Sequence, residues 1–318
     1  MLFGLSVLQL IYVLLFAPLA AGVLAKVEEI LESKKGPSIF QPYYDLAKLF
    51  RKESLVPDVA SPFFRIAPYI TFAFYLFLTL VLPIITAFPL TFGPVVDFIG
   101  GGLVFGAAAA LKKLAALDSR NNYSHLGTSR AASVGALSEP ILLLIFIMLG
   151  VISGTNNPYV INNVLQTSTL WYASLIHWFV TVAFFMVLIV ETGKLPIESH
   201  SMGELGMIDQ SMEMEYSGRE LALYKWGSWM KHFLLMNVFM NVLAVPFFVP
   251  MRLSVPAILI YALINLVKVL ALVIVFAFLN ESVSKYRLFK IFDYVAVTFV
   301  FAFLAALAFF TTRPGGGF

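Results

Sequence analysis

The stretch WYASLIHWFVTVAFFMVLIVETGKLPIESHSMGELGMIDQSMEMEYSGRELALYK, residues 171–225, changes character at Glu191. The residues before it contain no Asp, Glu, Lys or Arg, and the run has the length of a helix crossing ~30 Å of hydrocarbon. From Glu191 onward come seven carboxylates, Glu191, Glu198, Glu204, Asp209, Glu213, Glu215 and Glu220, over a third of the chain's 18. Lys194, Arg219 and Lys225 are too few to neutralise them. Leu205, Met207, Ile208 and Met212, interleaved with the acids, predict lateral helices lying against protein or lipid. On such a helix Asp209 and Glu213, four apart, would face each other and repel. Acids packed closely and partly dried hold protons nearer neutral pH, as a proton relay requires. A solvated loop is the plainer alternative.

The same apolar pattern recurs along the chain. Eight runs of about 20 residues each suit the bilayer: 3–25, 67–88, 96–117, 135–153, 171–191, 232–250, 255–279 and 290–311. With 60% apolar and 12% charged residues in 318, an ordinary soluble domain is excluded. The expected fold is an all-α polytopic membrane protein, one integral membrane domain over 1–318, with amphipathic lateral helices on the cytoplasmic side. The first run is too long for a signal peptide and has no basic residue ahead of it.

Loop charges set the orientation. Eighteen of the 21 Lys and Arg follow the odd-numbered spans, in and around loops at about 26–66, 118–134, 192–231 and 280–289. Only Arg252 and Arg313 lie on the other side. The positive-inside rule places those loops in the cytoplasm and both termini outside, in the cell membrane.

The chain has no Cys and four scattered His, so thiolate-held clusters, disulfides and metal centres are not expected on it. No hydrolase triad or phosphate loop is visible, and the basic residues report topology, not nucleic-acid binding. Lys268, near the middle of the seventh span, must pair or be neutral, because a lone buried ammonium costs about 3 kcal/mol on insertion scales. Either a relay role or a structural ion pair follows. In the first loop, Tyr43, Leu46, Ala47 and Phe50 recur at helical spacing opposite Asp45, Lys48 and Lys52, which predicts a short amphipathic helix on lipid or a partner.

Three stretches together resemble the NuoH-type family of complex I membrane proteins and its hydrogenase relatives: KGPSIFQPYYDLAKLFRKE (35–53), Ser129-Arg130-Ala131-Ala132 leading to Ser138-Glu139-Pro140, and ETGKLPIE (191–198) ending at Glu215-Tyr216-Ser217-Gly218. The spacing of Pro37 and Gln41, and Pro196-Ile197-Glu198 in place of a denser acidic run, resemble the branch in membrane-bound [NiFe]-hydrogenases and formate hydrogenlyase. The resemblance implies a membrane anchor and coupling subunit with no catalytic centre of its own. Iron–sulfur clusters and a nickel–iron centre are then expected on partners: hydrogenase-like large and small subunits and an iron–sulfur subunit, beside antiporter-like membrane subunits. It carries over Glu139, Glu191, Glu198, Glu204 and Glu215 as funnel acids; Asp209, Glu213 and Lys268 come from the residues alone. Gln41, Asp45, Lys48, Arg51 and Lys52 are the candidate docking residues. The rivals are a quinone-site NuoH-type chain of a complex I-type dehydrogenase, a sulfur-reducing relative and a freestanding secondary ion transporter, which would be expected to show an inverted repeat.

Overall fold

The computed structural model describes residues 2–86, 88–93, 95–167, 169–194, 196–197, 208–246, 255–284 and 286–312, and among these it is all-helical. The helices are α1 (Leu2–Leu31), α2 (Gln41–Arg51), α3 (Pro62–Val81), α4 (Phe98–Asp118), α5 (Asn122–Ser153), α6 (Pro158–Thr167), α7 (Thr169–Ala173), α8 (Leu175–Glu191), α9 (Gly218–Val238), α10 (Val255–Ser282) and α11 (Leu288–Thr312). A single 3-10 turn, Gln210–Glu213, precedes α9, and a π-helical turn, Phe239–Ala244, continues it.

Several helix starts follow from short polar side chains that take up the first free backbone amides. Ser61 accepts from Phe63 N before α3, Asp97 from Gly100 N before α4, and Ser174 from His177 N before α8. Asn121 accepts from two amides and starts α5 well before the expected run at 135. Helix α3 stops at Val81, short of the expected 88. Leu82 precedes Pro83, whose ring disfavours a helical residue before it, and Leu82 is extended with ψ 144°.

Among the described residues, six helices are long and apolar enough to cross a bilayer: α1, α3, α4, α5, α10 and α11. The chain is a multi-pass membrane protein. The other two expected spans look different. The fifth is broken at Ser174, leaving α8 with 17 residues. The sixth begins already at Gly218, so its first turns carry Arg219, Glu220, Lys225 and Lys231; residues 247–254 lie outside the described set. Of the expected lateral helices, α2 is present, and the described part of 191–217 contains only the 3-10 turn.

Helix α3 packs between α4 and α9, α1 between α9 and α10, and α11 against α8 and α5. The shared interior is a continuous apolar core that includes Tyr75, Phe146, Phe184, Phe233 and Phe276. The loops pack back on this bundle. Tyr216 stacks on Phe64 at 4.1 Å, and Ser217 Oγ accepts from Leu55 N at 2.6 Å and donates to Leu55 O at 2.9 Å. Gly218 has φ +53°, and a Cβ there would sit 2.6 Å from Glu53 O. The first loop is thereby latched to the start of α9.

Candidate functional site: a buried charge cluster between two cavities

Glu139 on α5 and Glu191 at the end of α8 line one cavity, and each is matched by a lysine. Lys113 Nζ on α4 donates to Glu139 Oε1 at 2.7 Å. Lys231 Nζ on α9 lies 2.8 Å from Glu191 Oε2, and Ser138 Oγ donates to Glu191 Oε1 at 2.8 Å. These groups line a cavity of about 60 Å³ together with Tyr75, Lys112 and Asp209. Glu191 and Lys231 keep their charges at such depth because each is the other's partner; an isolated buried ion would be neutralised or excluded.

A larger cavity, about 280 Å³, lies beside it between α1, α9 and the 3-10 turn. Its wall is apolar on one side, with Ala17, Ala20 and Phe233, and polar on the other, with Asp209, Glu213 and Lys225. Glu213 lies 3.5 Å from Lys225 Nζ. Burial, with Asp209 adding to it, raises the Glu213 carboxyl above its ordinary value although Lys225 and Lys112 pull the other way. The two acids do not face each other on an α-helix: Asp209 caps the 3-10 turn that Glu213 ends.

The remaining expected site residues are placed elsewhere or not described. Glu215 accepts from Asn121 Nδ2, away from the cavities. Glu198 and Glu204 lie outside the described residues. Lys268 is not part of the cluster. It donates to Val245 O at 2.6 Å, where the π-helical turn ends, and its ammonium lies 5.7 Å from the Tyr261 ring. A separate buried amide network joins α10 to α9 and α1: Asn265 Nδ2 donates to Asn237 Oδ1 at 2.7 Å and to Tyr12 OH at 3.3 Å. In α2, Leu46 and Pro42 are buried and Lys48, Arg51 and Lys52 are exposed, while Gln41 donates to Asp45 at 2.9 Å. Ala47, expected on the apolar face, is exposed.

Sequence reading missed the lysines. Lys112 and Lys113 look like loop charges that fix orientation, yet they sit inside α4 in an otherwise apolar Ala-rich run, which was the signal available. Glu220, counted among the seven acids but not chosen as a site residue, is 3% exposed, accepts from Tyr69 OH at 3.3 Å and from Ser54 Oγ, and lies 3.6 Å from Arg65. Among the described residues, no group of three or more His, Asp or Glu is placed to hold a metal ion.

Residues 5–311 match the NADH dehydrogenase family. Hydrogenase-4 component C of Escherichia coli (strain K12) is 28% identical over 94% of this chain and 92% of its own length. Formate hydrogenlyase subunit 4 of the same organism is 28% identical over 94% of this chain and 95% of its own. NADH-ubiquinone oxidoreductase chain 1 of Paracentrotus lividus is 30% identical over 74% of this chain and 73% of its own. In fold, the chain resembles a chain in the structure of the membrane-bound sulfane sulfur reductase, an archaeal respiratory membrane complex, with a TM-score of 0.79 at 19% identity over 96% of this chain and 98% of that one.

Proposed function

The chain belongs to the NADH dehydrogenase family, and on that footing we propose that it is the membrane anchor and coupling subunit of a complex I-like, ferredoxin-linked hydrogenase complex. In this reading it docks a soluble electron-transfer arm through α2 and the first loop, and links redox events there to proton or sodium movement in antiporter-like neighbours. The full-length similarity to the hydrogenase-4 and formate hydrogenlyase proteins supports the hydrogenase assignment. The observation that carries the coupling role is two ion pairs, the partly buried Glu139–Lys113 and the more deeply buried Glu191–Lys231, around a small cavity that adjoins a larger one. Paired carboxylates in a dry site are poised to exchange protons when a nearby charge changes. The redox centres belong to partner subunits: iron–sulfur clusters and a nickel–iron centre.

The same reading gives eight spans, the six long apolar helices plus α8 and the run from α9 through the π-helical turn. The termini are outside and the large loops cytoplasmic. This chain lacks natural cysteine, so cysteines at the exposed Ser33 and Asn122 should label only from the inside and one at Asn157 only from the outside. The reverse pattern inverts the topology. For function, a tagged chain purified gently should bring with it a nickel-containing large subunit. Elution alone, or with no redox protein, would contradict the anchor role.

A second reading has its own support. The larger cavity is apolar on one side, and NADH-ubiquinone oxidoreductase chain 1 is among the relatives. If this chain served a quinone-linked complex, a short-chain quinone analogue would protect a cysteine at Ala20 from labelling in the purified complex.

A further inference from the structure

The linings of the two cavities share Gly193, Asp209, Ser228 and His232, so a single thin wall separates them. Lys112 stands in that wall. Its ammonium donates to Ser228 Oγ at 2.6 Å, and Ser228 Oγ in turn donates to Tyr224 O at 3.0 Å. Among the described residues no carboxylate lies within ion-pair distance of Lys112.

Two phenol rings flank the ammonium, Tyr224 at 4.3 Å and Tyr75 at 5.6 Å. Tyr75 is fully buried and Tyr224 is 5% exposed. Among the described residues, neither hydroxyl has a hydrogen-bond partner. Buried polar groups are almost always paired, and an unpaired one is destabilising. An ammonium carries three donors, of which Lys112 spends one on Ser228. The ammonium thus keeps unused N–H groups beside two phenols whose O–H groups are also unused, and what both kinds of donor lack is an acceptor.

The chemistry of that acceptor is restricted. Three carboxylates, Glu139, Glu191 and Asp209, balance the three lysines that line the same space, and Lys113 and Lys231 are already paired, so no surplus of positive charge is left to hold a small anion. A polar volume of about 60 Å³ suits water, which needs only one water-sized opening and two to four polar partners.

We propose that Lys112, Tyr75 and Tyr224 hold ordered water in this wall, and that this water is the crossing by which protons pass between the larger cavity and the buried carboxylates. Tyr224 lines the larger cavity and Tyr75 the smaller, so the crossing has one hydroxyl on each side. Each O–H bond broken on one water is replaced by one formed on the next, so nothing is oxidised or consumed. Ser228 is a positioning residue that fixes the ammonium. The inference rests on the coupling role proposed above and deepens it.

Tyr75→Phe and Tyr224→Phe each delete one oxygen and keep the ring, and both are made in the assembled complex driven by reduced methyl viologen. Thermal midpoint and ions moved per electron are read for each, with proton and sodium movement both recorded. If the hydroxyls are unpartnered, their loss leaves the midpoint unchanged or raises it. The proposal expects each variant to lower the midpoint by about 2–4 °C and to cut ions per electron several-fold while electron flow continues. An unchanged or raised midpoint, or an unchanged ratio, overturns it. Should a tyrosine variant fail to assemble, Ser228→Ala must show the same loss of ratio, and a normal ratio there also overturns the proposal. Glu139→Gln separates the two ideas. A normal ratio in that variant with a low one in the tyrosine variants sinks the carboxylate relay and keeps the water crossing; the opposite pattern keeps the relay and sinks the crossing.

Discussion

Glu191 and Lys231 meet at 2.8 Å with side chains only 9% and 11% exposed. Breaking one partner of a buried pair strands the other charge, which costs about 3–5 kcal/mol. Lys231→Met should therefore destabilise the complex by that order, and Lys231→Met with Glu191→Leu should recover much of the loss. A single variant as stable as the wild type in denaturant titration would mean that the pair is solvated. Glu213 gives a pH signature. Its carboxyl is held above the ordinary value by burial, so in the window above pH 4.5 the unfolded chain has released the proton while the folded chain still keeps it. Stability contributed by that proton is present at low pH and is lost as pH rises through the raised value. Glu213→Gln should remove this slope from a plot of thermal midpoint against pH, and an unchanged slope would assign it to another group. Of these residues, the acids were legible because carboxylates beside a membrane stand out. The lysines were not, because a sequence count treats any Lys near a span end as a loop charge and cannot see which helix face it takes.

Elements were legible wherever local chemistry decided them. Helix α2 needed only spacing and a proline near its start. The end of α3 was missed, although the local signal Leu82-Pro83 was enough to place it. Helix α9 was misjudged because its charged first turns are paired in the fold: Glu220 to Arg65 and Tyr69, Lys225 to Glu213, Lys231 to Glu191. Tertiary partners make those residues helix-compatible, and a hydropathy window cannot register that. The latch between the first loop and α9 is likewise a long-range contact. Gly218→Ala would place a Cβ 2.6 Å from Glu53 O at φ +53° and should cost about 2 kcal/mol, seen as faster proteolysis of the first loop. An unaffected cleavage rate would show that the latch yields easily. Helix α2 keeps Lys48, Arg51 and Lys52 on its exposed side. Reversing all three to Glu should release the soluble arm from membranes without unfolding this chain. A complex that stays whole would show that α2 rests on lipid instead.

At the scale of the molecule, fold class and site neighbourhood follow from different kinds of information. Eight apolar runs and one-sided charge identify a bundle. That α4, α5, α8 and α9 converge on one cavity required the packing itself, since Glu139 and Glu191 are 52 residues apart in sequence and neither points to Lys113 or Lys231. The bundle encloses a charge cluster that is paired at Glu139 and Glu191, adjoins a larger cavity and has a single wall between them. Such an arrangement is useful when a proton must be moved and is otherwise an expensive way to pack helices. The central claim is that the cluster moves protons in step with electron flow. Its direct measurement is ions translocated per electron in sealed vesicles containing the assembled complex, with Glu139→Gln compared against the wild type. The amide keeps the size of the side chain and removes the exchangeable acid. The account predicts an intact complex, continuing electron flow and a several-fold lower ratio; an intact complex with the wild-type ratio would contradict it.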